Sequence, residues 1–235
     1  MMRKFSLTPV TDLTAPVVIY GMYNNDDYSF FETFEPFKIV LWRGTDAKIM
    51  NSERAKRILA GKNYRNIAAS KSVQKSLAAF NIESEVIPIT STPLDIPLAK
   101  RGKYVYCYVC SRTPVMYKRY QVDRLKKLGH ALKMKFLYIN QNSYKFKKLI
   151  DIYRQCFVGI RLLDHDGMSN SIIEMGLMGR RTISNSGLPD TIPWKTMKDV
   201  KNAIIREYKR RLEDNSNIRA DYLKLIDIGD NWLEV

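Results

Sequence analysis

The chain has 235 residues, 45% hydrophobic and 27% charged, a globular composition with room for one large domain or two small ones. Its net charge is +15, which favours polyanionic partners over basic or neutral ones. No apolar run approaches the roughly 18 residues of a membrane span, the basic N-terminus lacks the apolar core of a signal peptide or anchor, and three cysteines are too few for a disulfide framework.

The first half alternates strand and helix patterns. "PVVIYGMY" (16–23) is a buried strand ending at Gly21, and "DDYSFFETF" (26–34) is a short helix with an acidic first turn. "FKIVLW" (37–42) is a second strand, followed by the corner "RGTD". "NSERAKRILAG" (51–61) opens on the cap residues Asn51 and Ser52 and stops at a glycine, as helices do. "RNIAAS" (65–70) is a third strand. An amphipathic helix follows, with Val73, Leu77 and Phe80 along one stripe, and "SEVIPI" (84–89) is a fourth strand. "TSTPLDIPLAKRG" (90–102), with Pro93 and Pro97, reads as an extended connector and marks a domain boundary near residue 92.

The alternation then restarts. "KYVYCYVC" (103–110) is a strand, and Pro114 keeps "SRTPVMYKRY" (111–120) a loop. "YQVDRLKKLGHAL" is a helix, "MKFLYIN" a strand, "SYKFKKLIDIYRQC" a basic amphipathic helix, and "FVGIRLL" (157–163) a strand. "SNSIIEMGLMG" is a helix and "RTIS" a short strand. The long helix "MKDVKNAIIREYKRRLED" aligns Val200, Ile204, Tyr208 and Leu212, and "RADYLKLID" adds a last helical pattern. Such alternation predicts α/β units, parallel sheets with helices on both faces. The domains are expected at 1–92 and 93–235. Ligands of open parallel sheets bind at the carboxyl ends of the strands, so the corners after the strands carry the interest.

Cys107 and Cys110 form a C-x-x-C, but in a strand residues three apart point to opposite faces. They read as buried strand cysteines, and the expected compartment is a reducing, cytoplasmic one. With only His130 and His165 besides, no zinc set assembles.

The charge is uneven. Residues 1–95 carry 12 basic and 10 acidic side chains, 100–154 carry 15 and 2, and 155–235 carry 12 and 12. The central stretch is either a solvated helix face or a surface for nucleotide phosphates, nucleic acid or an anionic membrane.

Two corners hold chemistry-bearing residues. In "DHDGMSNSIIEMGLMGRR" (164–181), Gly167 gives the backbone freedom, and Ser169, Asn170 and Ser171 are good N-caps. The helix that follows offers amide donors suited to phosphate or sugar oxygens. Glu174, about one turn in, is either a surface helix acid or a carboxylate gripping a vicinal diol such as ribose. Asp166 is a turn former or a sugar ligand, and His165 a loop stabiliser or a donor contact. In "SRTPVMYKRY", Arg112 and Lys118 could hold a diphosphate, one by its fork and one as a point charge.

On these residues the stretch 104–205 resembles the nucleotide-sugar-binding half of GT-B glycosyltransferases and is most similar to glycosyltransferase family 4. That family has an E-x7-E motif entering a helix, matched by Asp166 and Glu174, and an R-x5-K pair, matched by Arg112 and Lys118. Asp stands where the family has the first Glu, one methylene shorter. The first half shows no Gly-Gly loop after its first strand; its likeness rests on "IAASKSVQKSLAAFNIESEVIPI" and on "LWRGTDA", similar to a W-x-G-[ST]-D corner of compact viral and bacterial relatives.

The resemblance implies two Rossmann-like domains facing a cleft, the N-terminal one reduced. It implies a sugar moved from a nucleotide diphosphate, a UDP- or GDP-sugar, to an acceptor, with retained configuration and no cofactor or essential metal. Arg112 and Lys118 would meet the charge developing on the leaving phosphate. Asp166, Gly167, Met168, Ser169 and Asn170 would surround the sugar and phosphates, and Glu174 would hold the ribose. In the first half, Asp26, Asp27, Arg43 and Asp46 occupy loop corners, as capping residues or as ligands of acceptor hydroxyls. The acceptor could be a glycan, a nucleic-acid base or a lipid-linked group, the last with peripheral attachment at the inner membrane face. The competing reading is a basic nucleic-acid-binding protein with a Rossmann-like core, in which Tyr117, Tyr120, Tyr144 and Tyr153 interleave the cations.

Overall fold

The computed structural model describes residues 12–99, 102–109, 113–140, 143–163, 167–213, 215–229 and 231–233. The chain divides into two compact units. The first takes the described residues up to Ser91 and those from Ile226 onward; the second runs from Thr92 to Leu225. Among the described residues no helix is long and apolar enough to cross a membrane.

The first unit holds four parallel strands in the order β1-β2-β3-β4: β1 (Val17–Tyr20), β2 (Lys38–Trp42), β3 (Tyr64–Ala68) and β4 (Glu85–Val86). The helices between them are α1 (Asn25–Thr33), α2 (Thr45–Lys48), α3 (Ser52–Leu59) and α4 (Lys71–Ala78). Local chemistry sets their starts. Asn24 and Asp27 form a capping box for α1, and Asn51 and Ser70 accept from first-turn amides of α3 and α4.

Each crossover in this sheet steps in the same direction. Right-handed connections therefore put all the intervening helices on one face. On that face Val17, Ile19, Val40 and Trp42 pack with Phe31, Ile58 and Leu77 of the helices. The expectation of helices on both faces fails here, because a one-way sheet cannot cover its second side with its own crossovers. Ile39, Leu41 and Ile67 point to that second side and are covered by Ile89 and by Trp232, 3% exposed, in the short 3-10 turn Asn231–Leu233. This is why the last residues, expected in the second domain, belong to the first unit.

The second unit contains β5 (Tyr104–Tyr108), α5 (Pro114–Arg119), α6 (Val122–Leu132), β6 (Phe136–Ile139), α7 (Phe146–Arg154), β7 (Cys156–Ile160), α8 (Asn170–Leu177), β8 (Thr182–Ile183) and α9 (Met197–Lys209), and α10 (Ser216–Ile226) ends at its border. The sheet is parallel, in the order β6-β5-β7-β8. Here the winding reverses after β6, and both faces receive helices. Leu125 of α6 and Val200, Ala203 and Ile204 of α9 pack with Val105 and Cys107 on one side. On the other, Tyr153 of α7 meets the ring of Tyr106 edge-on at 4.9 Å. Cys107 and Cys156 are buried and unbonded to each other; Cys110 lies outside the described residues.

Two local expectations are corrected. Pro114 does not hold its corner as a loop: it is the first residue of α5, behind the cap Thr113, where a proline needs no amide hydrogen. In α9 the buried face is Val200, Ala203, Ile204 and Glu207, while Tyr208 and Leu212 are exposed. A strict four-residue stripe drifts about 40° per step around a helix of 3.6 residues per turn, so its far end leaves the core.

Candidate functional site

The strand orders locate the site. In the first sheet, among the described strands, the order never reverses. In the second, the chain leaves β5 toward β6 and leaves β7 toward β8, on the opposite side. Neighbouring strands whose connections part in this way open a crevice at their carboxyl ends. That switch point lies between β5 and β7.

From β5 the chain passes to α5, which carries Lys118, exposed, near its end. From β7 it passes through Arg161 and the loop containing Gly167 to α8. Arg112, Asp166 and His165 fall in these corners but lie outside the described residues. So does Asp164, which with Asp166 makes a D-x-D spacing of the kind that serves divalent ions.

α8 begins at Ser169, which has non-helical backbone angles. Its hydroxyl does not cap the helix; it pairs with the Ser171 hydroxyl at 3.0 Å. The positive end of α8 is therefore not answered by its own cap side chain, a setting suited to an anion. Gly167 and Asn170 are half-buried beside it, and Met168 is buried. The helix is apolar and enclosed from Ser171 to Leu177. Gly176 permits this: a Cβ there would stand 2.2 Å from the ring of Tyr222 on α10.

Glu174 is therefore no surface acid. It is 5% exposed. Burial pushes its carboxyl up to about 7, against a hydrogen bond from Tyr153 that holds it down. Tyr153 is itself fully buried on α7, against Tyr106 of β5. Burial also raises the Tyr106 phenol, which feels the charges of both Glu174 and Arg161. Sequence reasoning missed Arg161. Its guanidinium lies 4.0 Å from the centre of the Tyr108 ring and 6.0 Å from that of Tyr120, fixed by cation–π contacts at the carboxyl end of β7. The signal was present, since "VGIRLL" puts an arginine one step beyond a buried strand. The structure thus gathers Glu174, Tyr153, Tyr106 and Arg161 at adjoining elements of the switch point, with Lys118 on the helix after β5.

The first-unit residues have other employment. Asp27 accepts from the backbone amides of Tyr23 and Asn24 at 2.7 and 3.0 Å, completing the α1 cap. Asp46 is fully buried and accepts from the amides of Arg43, Gly44 and Ala47. Arg43 donates to the Ile89 carbonyl at 2.7 Å and lies over the Tyr20 ring. These three hold the corners together and do not offer themselves to acceptor hydroxyls. Asp26 alone of the four is an exposed acid of the α1 first turn. Among the described residues no three His, Cys, Asp or Glu side chains converge on a metal position.

No family model matches the chain, and no curated protein matches it. Among solved structures it is similar to a sucrose-phosphate synthase from Thermosynechococcus elongatus, with a TM-score of 0.55 and 13% identity. The similarity covers 80% of this chain and 63% of that one, so the chain spans just under two thirds of that protein's length. At this identity the likeness is one of fold: two four-stranded parallel sheets with their helices, Rossmann-like in build.

Proposed function

We propose that the chain is a GT-B-type glycosyltransferase that takes a sugar from a nucleotide diphosphate. The observation that carries this reading is a buried carboxylate, Glu174, on the helix that follows β7 at the switch point of a parallel sheet, a helix whose N-cap hydroxyl makes no capping bond. An enclosed carboxylate is costly to the fold in its ionised form, and a ribose diol, with two hydroxyl donors, would favour that form. The fold likeness to a sucrose-phosphate synthase supports the same class.

In this reading the pyrophosphate lies between the N-terminus of α8 and the cations. Arg112 and Lys118 are the pair that family 4 resemblance assigns, and Arg161 adds a third positive group at the carboxyl end of β7. As the glycosidic bond to the donor breaks, charge grows on the β-phosphate, and fixed cations and helix amides stabilise it without reorganising. Asp166 and the Gly167–Ser169 backbone would sit by the sugar hydroxyls. Retention of configuration and independence of metal are the finer parts of the proposal. The Asp164–Asp166 spacing makes the second of these worth a direct measurement.

The test is a thermal-shift screen of the chain and its Glu174→Gln variant against UDP-, GDP-, ADP- and dTDP-sugars, each with Mn²⁺ and with chelator. A ligand that binds only the folded chain raises its melting temperature. A shift with at least one sugar nucleotide, lost in Glu174→Gln, supports the proposal; no shift with any donor in either condition rejects it. The competing reading, a nucleic-acid binder without catalysis, is favoured by the basic central stretch and predicts that second result.

A further inference from the structure

A hollow lies in the second unit, and neither Glu174 nor Arg161 lines it. It measures about 480 Å³ and is lined by Lys126, Gly129, His130 and Lys133 of α6 and its end, and by Phe136 and Tyr138 of β6. Positions 126, 130 and 133 climb one side of α6 over about 10 Å. Gly129 sits among them, and a Cβ there would come within 3.3 Å of the Phe136 ring, so its lack of side chain keeps the floor open. Phe136 and Tyr138 share one face of β6, ring centroids 6.5 Å apart. β6 is an edge strand. The Tyr138 hydroxyl is buried yet has no hydrogen-bond partner. A buried hydroxyl without a partner is uncommon and costs stability.

Charge agrees with shape. Between residues 100 and 154 only Asp123 and Asp151 are acidic, and each is engaged within its own helix, with Lys126 at 3.6 Å and Arg154 at 3.3 Å. Arg124 and Lys127 on α6, and Lys135 just before β6, are exposed as well.

We propose that this hollow binds a single strand of nucleic acid, one base lying against Phe136 and Tyr138 with the flanking phosphates on Lys126 and Lys133. Cationic tracks beside aromatic rings are how proteins hold single strands. A duplex keeps its bases stacked and would not reach the rings. A lipid surface is a plane, and a plane does not reach rings set back behind a helix. The site stands whether or not the chain transfers sugar.

The experiment is fluorescence anisotropy with the full chain and a labelled oligothymidylate of about twelve nucleotides, within the usual site size, at several salt concentrations. Competitors are a duplex of equal length, thymidine monophosphate and phosphatidylserine-containing vesicles. Two variants are compared. Lys126→Gln with Lys133→Asn removes both charges; asparagine is chosen because Lys133 has φ 52°, which it tolerates. Tyr138→Phe removes a group that no neighbour uses. The single strand should bind and resist the competitors. The double variant should make the salt dependence shallower by about 1.4 in log–log slope. Tyr138→Phe keeps the ring and should bind as the parent does, with its melting temperature unchanged or raised. Unchanged affinity and slope in the double variant would overturn the site, as would equal binding of duplex, or displacement by vesicles or the mononucleotide alone. Sugar-nucleotide shifts measured on the same double variant should match the parent, which separates a failure here from a failure of the transferase reading.

Discussion

Tyr153, from α7, donates a hydrogen bond to the Glu174 carboxylate inside the second unit, and both side chains are almost wholly enclosed. The two groups oppose each other in effect. Burial favours the neutral acid, while the phenol favours the ion.

The first prediction concerns stability and pH. The carboxyl lies near 7 in the folded chain against an ordinary value of 4.5. Below 4.5 it is protonated in both states. Between 4.5 and about 7 the folded chain keeps a proton that the unfolded chain has released, so this group's contribution to stability falls as pH rises. Above 7 the whole cost is present, roughly 3 kcal/mol. Glu174→Gln should therefore melt several degrees higher than the parent at about pH 8 and at the same temperature near pH 4. Calorimetry at the two pH values checks this; equal melting at both would remove the buried-acid account.

Donor binding should show the reverse dependence. Hydroxyls of a ribose donate to the ionised carboxylate, so affinity for a sugar nucleotide should rise through about pH 7 and level off above it. Tyr153→Phe removes the bond that holds the carboxyl down. The rise should move to higher pH, with a stability loss of about 1 kcal/mol. Titration calorimetry over the same pH range reads the shift directly.

Arg161 tests the cation set. Its guanidinium is stacked 4.0 Å over Tyr108, a geometry that lysine does not reproduce. Arg161→Lys should weaken sugar-nucleotide binding by about tenfold, or 1.4 kcal/mol, despite keeping the charge. Arg161→Met should weaken it further while leaving the melting temperature within a few degrees. Parent-like binding by both would take Arg161 out of the site.

The support for α8 is also measurable. A methyl group at residue 176 would stand 2.2 Å from Tyr222. Gly176→Ala should cost about 1–3 kcal/mol through overpacking, and Gly176→Ala with Tyr222→Leu should recover part of it. Chemical denaturation of the single and double variants decides, since recovery requires that the two positions meet.

Much of the fold was legible because strand–turn–helix chemistry is local. Asn51 caps a helix where the sequence offers a cap, and the parallel strands fall in or within one residue of the apolar runs. The misreadings concern partners that sequence does not display. Pro114 was taken for a breaker because the cap Thr113 gains its meaning only from where the helix starts. Leu212 reads as part of a core stripe, yet the stripe's drift around the helix and the end of α9 at Lys209 both take it out of the core. The place of Glu174 inside a helix is legible in the sequence, but not its burial among residues that include Tyr153 of another element. Arg161 was hidden because its value lies in two rings, Tyr108 and Tyr120, far from it in sequence. Asp27, Arg43 and Asp46 looked available because sequence does not reveal which backbone amides will turn toward a carboxylate.

The one-way sheet of the first unit has a consequence for biosynthesis. Its strands β1 to β4 are all made before residue 87, yet Ile39, Leu41 and Ile67 wait for Trp232 to cover them. During translation the nascent sheet emerges with one greasy side only partly covered, by Ile89, until residue 232 has been made. Chaperone dependence should therefore concentrate on this early half, and Trp232→Ala, which leaves that side poorly covered in the finished chain as well, should lower the yield of folded product more than its roughly 3–5 kcal/mol cavity cost alone would suggest.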